Sequence, residues 1–224
     1  AEAIVQVVRG GSADVIVNAL VGYAGMMPSL AAVETGKKLA LANKESLVIA
    51  GRQIIDAAER NRAAILPIDS EHSAIFQSLV GEVSPARRLI LTASGGPFLR
   101  TPKDRLCEVT VEQALRHPNW SMGAKITVDS STLVNKGFEV IEAHWLFGLP
   151  AEKIDVLVHP QSVVHSMVEF EDGAIKAQLG TPDMRLPIQY ALTFPERPDY
   201  GGARFDFARS STLTFEEVDD DKFP

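Results

Sequence analysis

The 224 residues include a single cysteine, Cys107, so neither an intramolecular disulfide framework nor a multi-cysteine metal site can form. The same scarcity fits a reducing compartment. Aromatic residues make up only 7% of the chain, and no apolar run approaches the roughly 18 residues that a membrane span requires. Positive charge is also thin: 22 Lys and Arg stand against 29 Asp and Glu, a formal net charge of -7, with no dense basic block. That balance argues against a nucleic-acid surface or an anchor on an anionic membrane, and it leaves a small molecule or another protein as partner. An initiator Met is missing too, and the first residues read as the inside of a helix, so the sequence reads as a fragment.

What is present is enough apolar material, 46% of residues, for one large core or two modest ones. "ADVIVNAL" (Ala13 to Leu20) is a short β-branched run, followed by a turn at Gly22 and Gly25 and a helix from Pro28 to Gly36. "KKLALAN" then reads as a strand, "KESLVIAGRQIIDAAERN" as a long amphipathic helix and "AAILPID" as another strand. Such alternation predicts a parallel α/β sheet with right-handed crossovers, whose ligands gather at the carboxyl ends of the strands. Asn18, the stretch from Asn43 to Ser46 and the stretch from Asp69 to His72 all fall at such ends.

Beyond Pro67 the pattern becomes α+β. "RLILTASGGPF" reads as a strand entering a glycine turn, "TPKDRLCEVTVEQALRHP" as a polar helix, and "AKITVDSS" as a strand running into a helix cap. Period-2 stretches flank Glu171 to Gly173, where Asp-Gly supplies a hairpin turn. The tail after Pro195 has the composition of an extended linker.

Several groups can carry chemistry, each with an ordinary alternative. Asp69 and Glu71 form a D-x-E at a strand end, which lets two carboxylates converge on a hard cation, but the same letters cap a helix. "SGGP" from Ser94 brings a hydroxyl and backbone N–H groups toward an anion, or makes a tight turn. In "VDSSTLVNKGFEVIEAHWLFG", Ser130 or Ser131 at a helix start would aim free N–H groups at an anion. Asn135, Lys136 and Glu139 then share one face, as a site or as a solvated ion pair, with Glu142 a rival third carboxylate. Trp120 and Met122, in a loop poor in helix and strand formers, read as a core peg or as a lid that excludes water. Lys44 reads as a first-turn lysine beside a site or in solvent. His72 and His165, each alone, read as structural.

The stretches "LALANKESLV", "PIDSEHSAIFQ", "TASGGPF", "HPNWSMGAKITVDSSTLVNKGFEVIEAHWLF" and "HPQSVVHSMVEFEDGAIKAQLGTPDMRLPI", in this order, resemble the 1-deoxy-D-xylulose 5-phosphate reductoisomerases from Ala13 to Pro195. The resemblance implies the second half of a Rossmann-like parallel-sheet domain (1–67), an α+β catalytic domain (68–195) and a linker (196–224) toward a helical domain. It implies NADPH-dependent isomerisation and reduction of the sugar phosphate to 2-C-methyl-D-erythritol 4-phosphate, in the non-mevalonate isoprenoid route. The rival is a metal-dependent sugar-phosphate aldolase or isomerase without nicotinamide.

By the same resemblance Asp69, Glu71 and Glu139 hold Mg2+ or Mn2+, and Ser94, Ser130, Asn135 and Lys136 bind phosphate. Lys44 and Ser70 contact the oxygenated carbons, and His117 and Trp120 belong to a flap over the substrate. Asn43, Glu45, Gly123 and, more weakly, Met184 match cofactor contacts. Glu142 stays outside the site as a solvated residue. A homodimer is implied, with the strands around "VVHSMVEF" and "AIKAQLG" as its candidate interface, in a bacterial cytoplasm or a plastid-type organelle. The glycine-rich dinucleotide fingerprint is absent, which predicts poor NADPH binding and little turnover by the 224 residues alone.

Overall fold

The computed structural model describes residues 2–209 and 212–223 of the chain. Two sheets organise it. The first begins with helix α1 (Glu2–Gly10) and strand β1 (Val15–Asn18), then passes through a 3-10 turn (Gly22–Gly25), α2 (Met26–Glu34), β2 (Lys38–Leu41), α3 (Lys44–Asn61) and β3 (Ile65–Pro67). The strands pair in parallel in the order β1-β2-β3, as the alternation predicts. Leu39, Ala40 and Leu41 of β2 are fully buried, as expected of a parallel strand covered on both faces.

The second sheet follows α4 (Ser70–Leu79) and is built from β4 (Ala86–Ala93), β5 (Ile154–Val158), β6 (Val164–Phe170), β7 (Ile175–Leu179) and β8 (Glu216–Glu217). Its order is β7-β6-β4-β5-β8, with β4 and β5 parallel and the other pairs antiparallel. The hairpin between β6 and β7 turns at Gly173, whose φ of 83° is the left-handed geometry that the Asp-Gly pair supplies. Between β4 and β5 the chain makes a 3-10 segment (Lys103–Glu108), a one-turn helix α5 (Val111–Ala114), then α6 (Ala124–Ser131) and α7 (Val134–Phe147). Helix α8 (Arg185–Thr193) closes the regular structure before the tail.

Two local expectations are corrected. "AKITVDSS" is the helix α6, not a strand: its buried residues are Thr127 and Ser131, four apart on one helical face, and the Thr127 hydroxyl donates to Gly123 O at 2.8 Å. The polar stretch before it is not one helix: it holds a 3-10 segment, Lys103–Glu108, and a single α turn, Val111–Ala114, fixed by a Thr110/Gln113 capping box. The described residues of the tail carry one short strand, β8, and dock on the second sheet. Lys222 Nζ donates to Phe98 O (2.7 Å) and Leu99 O (2.9 Å), and β8 pairs with β5.

Candidate active site

Asp69 lies between β3 and α4, at the carboxyl end of the parallel sheet. It occupies the N-cap position of α4, but its side chain makes no capping hydrogen bond, so the carboxylate is available for other work. Glu71 follows in the first turn of α4, and the Ser70 hydroxyl donates to it at 2.6 Å. Glu139 approaches from α7, only 1% exposed. One oxygen from each of Asp69, Glu71 and Glu139 lies within 4.8 Å of the others. A three-carboxylate set of hard oxygens fits Mg2+ or Mn2+.

Two buried lysines run between these carboxylates. Lys44, from the first turn of α3, places Nζ 2.6 Å from Asp69 Oδ2, 2.7 Å from Asn135 Oδ1 and 3.3 Å from Glu139 Oε1. Lys136 donates to Glu71 Oε1 (3.0 Å), Thr92 O (2.5 Å) and Glu139 Oε2. Neither lysine is solvated and Lys136–Glu139 is no surface pair, because both lysine side chains are 7% exposed. Burial opposes the Lys44 charge, but Asp69, Glu139 and Glu142 outweigh it and hold its pKa above the ordinary lysine value. Burial likewise opposes ionised Asp69, yet Lys44 and then His72 keep its carboxyl below the usual range. For Glu139 burial and the neighbouring Glu71 prevail over the lysines, and its pKa is raised. Three carboxylates against two lysines carry a formal charge of -1, which a divalent cation would turn to +1, a balance suited to an anionic ligand.

The serines are placed differently from the helix-cap expectation. Ser130 and Ser131 end α6, and α7 starts only at Val134, after Leu133 takes a left-handed φ of 59°. That conformation costs a non-glycine residue about 1–2 kcal/mol, and it separates one expected helix into two. The bend leaves the first turn of α7, with Asn135 and Lys136, and the last turn of α6, with Ser130, on one cleft. Gly96 makes this junction possible: at φ 67° a Cβ on it would lie 2.6 Å from Ser130 O.

Ser94, two residues before, accepts from Gly96 N at 3.2 Å and meets His117 Nε2 at 2.8 Å. His117 Nδ1 accepts from the N–H groups of Asn119 (3.2 Å) and Trp120 (3.0 Å), so Nε2 carries the proton and donates to Ser94. Burial lowers the His117 pKa and favours that neutral form. The Ser94 hydroxyl, already accepting twice, keeps its own proton for an incoming acceptor.

Lys44, Asp69, Ser70, Glu71, Ser94, His117, Trp120, Ser130, Asn135, Lys136, Glu139 and Met184 all line this cleft of about 260 Å³. Three expected cofactor residues stand outside its lining. The Asn43 amide is spent internally, accepting from Ser46 N (3.0 Å) and donating to Leu20 O (2.6 Å) and Gly22 O (2.9 Å). Glu45 pairs with Lys125 at 2.6 Å, while Gly123 faces open space. Asn119 ties the Trp120 segment down by donating to Pro160 O (2.6 Å) and Ser162 Oγ (2.8 Å).

Sequence reasoning missed two features. His165 lines the cleft, its ring centroid 6.1 Å from that of Trp120, and burial pushes its pKa down to about 4. Glu142 is a correction: it is fully buried, not solvated, with Oε2 3.2 Å from His72 Nδ1, and burial pushes it up to about 7. His72 Nε2 donates to Glu139 O at 2.8 Å, so this pair stands directly behind the carboxylate cluster. Its signal was in the sequence: Glu142 follows Glu139 by three on the same helical face.

Fold and cleft together place the chain in a class, the α/β proteins with an acidic, lysine-balanced small-molecule cleft. More narrowly, the chain belongs to the 1-deoxy-D-xylulose 5-phosphate reductoisomerase family. Residues 1–51 match the family profile for that protein, residues 65–147 its C-terminal domain, and residues 179–224 a further DXP reductoisomerase C-terminal domain. The 1-deoxy-D-xylulose 5-phosphate reductoisomerases of Chlorobaculum tepidum and Bacteroides fragilis are each 58% identical over 224 residues, covering 100% of this chain and 59% and 58% of those proteins. The chain thus spans less than two thirds of these relatives. A crystal structure of DOX-P reductoisomerase in complex with NADPH, fosmidomycin and magnesium superposes with a TM-score of 0.95 at 46% identity, over 99% of this chain and 57% of that one. The Zymomonas mobilis 1-deoxy-D-xylulose 5-phosphate reductoisomerase in complex with NADPH gives 0.92 at 47% identity, over 100% and 57%.

Proposed function

We propose that the protein containing this chain converts 1-deoxy-D-xylulose 5-phosphate to 2-C-methyl-D-erythritol 4-phosphate with NADPH and Mg2+ or Mn2+. The observation that carries this reading is a single cleft lined both by a carboxylate triad, Asp69, Glu71 and Glu139, with the Asn135 amide bonded to Glu139, and by Ser94 and Ser130, which meet at Gly96. A ligand with phosphate at one end and adjacent carbonyl and hydroxyl oxygens at the other matches that polarity. The solved relatives hold NADPH and magnesium, which also disfavours the nicotinamide-free aldolase.

In this reading a bound cation supplies polarisation of the substrate's carbonyl and hydroxyl oxygens, and NADPH supplies the reducing equivalent. The chain's own residues do the rest. Ser94 donates its free proton to phosphate, with Ser130 across Gly96 from it, while Asn135, bonded to Lys44 and Glu139, would reach the phosphate from the carboxylate side. Lys44 Nζ, ordered by Asp69 and Asn135, donates to a substrate oxygen as negative charge grows there. Lys136, held by Glu71, Glu139 and Thr92 O, sets its charge among the carboxylates and draws an anionic ligand into the cleft. Trp120 and Met122 roof the cleft and exclude water. Met184, which lines the cleft, would pack against the nicotinamide ring, while Asn43, Glu45 and Gly123 would shape the cofactor side from outside the cleft.

The same reading divides the chain at residues 67 and 195, and seats a second copy near β6 and β7, where β7 is a sheet edge. Its setting in this reading is a bacterial cytoplasm, which the bacterial organisms of the relatives above support; among the described residues no helix is long and apolar enough to cross a membrane. The test is substrate-dependent loss of NADPH absorbance by the longer protein: product formation without NADPH would return the aldolase to first place.

A further inference from the structure

Glycine is a poor helix residue, yet Gly51 stands inside α3. A Cβ on it would lie 2.2 Å from Cδ1, 2.3 Å from Nε1 and 2.4 Å from Cγ of Trp145. The indole, carried by α7, therefore seats in the hole that the missing side chain leaves. At the adjacent residue α3 bends: Ala50, at φ -134° and ψ 30°, departs from helical geometry, as where a side chain inserts against a helix. His144 meets the indole edge-on at 4.7 Å, and the Arg52 guanidinium carbon lies 5.9 Å from its centroid.

This contact joins the two cores. Trp145 and Leu146 pack into the core of the first sheet, whereas Ala143, Val140 and Phe147 of the same helix belong to that of the second. It also lies at matched distances from the site. Lys44 is seven residues before Gly51 on α3, and Glu139 is six before Trp145 on α7, so each lever arm is about 10 Å at the helical rise. We infer that Gly51 and Trp145 form an interlock that sets where Lys44 stands against Asp69 and Glu139, which makes both of them positioning residues for the cation site. The inference rests on the function proposed above. Unseating the indole shifts α3 against α7 and carries Lys44 Nζ out of its 2.6–3.3 Å contacts with those carboxylates.

Lys44 competes electrostatically with any cation on the same carboxylates, so cation affinity reads its position without relying on turnover. The experiment measures Mn2+ binding to the 224-residue chain by electron paramagnetic resonance, with melting temperature recorded in parallel. Lys44→Met sets the scale and is expected to tighten Mn2+ binding about tenfold, since it deletes a unit positive charge within a few ångströms. Gly51→Ala, which displaces the indole, is expected to tighten it about threefold, and Gly51→Ala with Trp145→Leu to return it to the wild-type value. A Gly51→Ala chain that melts lower but keeps wild-type Mn2+ affinity, while Lys44→Met shifts it, overturns the interlock and leaves the cation site standing. Unchanged affinity in Lys44→Met removes Lys44 from the cation site and takes both readings down. If Gly51→Ala fails to fold, Trp145→Leu alone, which empties the hole, is expected to tighten Mn2+ about twofold by freeing the same levers; no change there also overturns the interlock.

Discussion

Replacing Lys136 by Met strips the acid cluster of one of its two internal counter-charges. In the native cluster the ammonium serves Glu71, Glu139 and Thr92 O from a side chain that is 7% exposed. Removing one partner of a buried charged network typically costs about 3–5 kcal/mol, because the remaining charges lose their compensation. The formal charge of the cluster falls from -1 to -2, with Lys44 alone opposing three carboxylates. A divalent cation is the natural replacement. At saturation the cation stabilises wild type and variant alike, so the loss shrinks by RT ln of the ratio of their dissociation constants, about 1.4 kcal/mol for a tenfold tighter variant. Urea unfolding of the chain in chelator and in saturating Mg2+ reads both quantities. The expected result is a loss of about 3–5 kcal/mol in chelator that is smaller by about 1.4 kcal/mol in saturating Mg2+. Equal losses in both conditions would refute the idea that the lysines and a cation share these carboxylates.

Much of the fold was legible because local and global signals agreed. The long helix from Lys44 to Asn61 and the hairpin at Gly173 follow from periodicity and turn chemistry. α6 was misread because Ile126, Thr127 and Val128 are β-branched, while its helical burial at Thr127 and Ser131 is set by tertiary contacts. The break at Leu133 was invisible for a related reason: no sequence rule predicts a left-handed leucine, and only Gly96 closing on Ser130 shows what that conformation allows. At the site, Asp69 and Glu71 could be paired by their position at a strand end. Lys44 and Glu139, 95 residues apart, could be joined only through the resemblance. Glu142 went wrong because helical spacing names a face and does not say whether that face is wet.

Three further outcomes follow from named contacts. His165 is 7% exposed and its pKa is depressed from 6.5 to about 4 by burial, so the unfolded chain binds more protons between those values and stability falls with acidification. That fall is worth about 3 kcal/mol from pH 6.5 to 4. Urea unfolding of His165→Gln should show a correspondingly shallower acid dependence, and an unchanged slope would contradict the burial argument. Ser94→Ala removes one hydrogen bond to a charged phosphate, worth about 1.5–3 kcal/mol, so the dissociation constant for a phosphate-bearing ligand should rise by roughly 10- to 150-fold in calorimetry. Asn119→Ala frees the Trp120 segment from Pro160 and Ser162. Hydrogen exchange around Trp120 should quicken without a change in the carboxylate cluster's Mn2+ affinity, and protected amides there would count against Asn119 as the tie.

The central claim is that Glu139 helps hold a divalent cation against the reacting oxygens of a sugar phosphate. Its most direct test is Glu139→Gln in the longer protein, assayed by substrate-dependent NADPH oxidation in saturating Mg2+ with substrate affinity measured separately. Loss of about 3–4 kcal/mol of transition-state stabilisation, roughly a 100- to 1,000-fold fall in kcat with substrate affinity changed less than tenfold, is the predicted result. A variant that keeps wild-type kcat would make Glu139 a structural partner of the two lysines and remove the cation from the account.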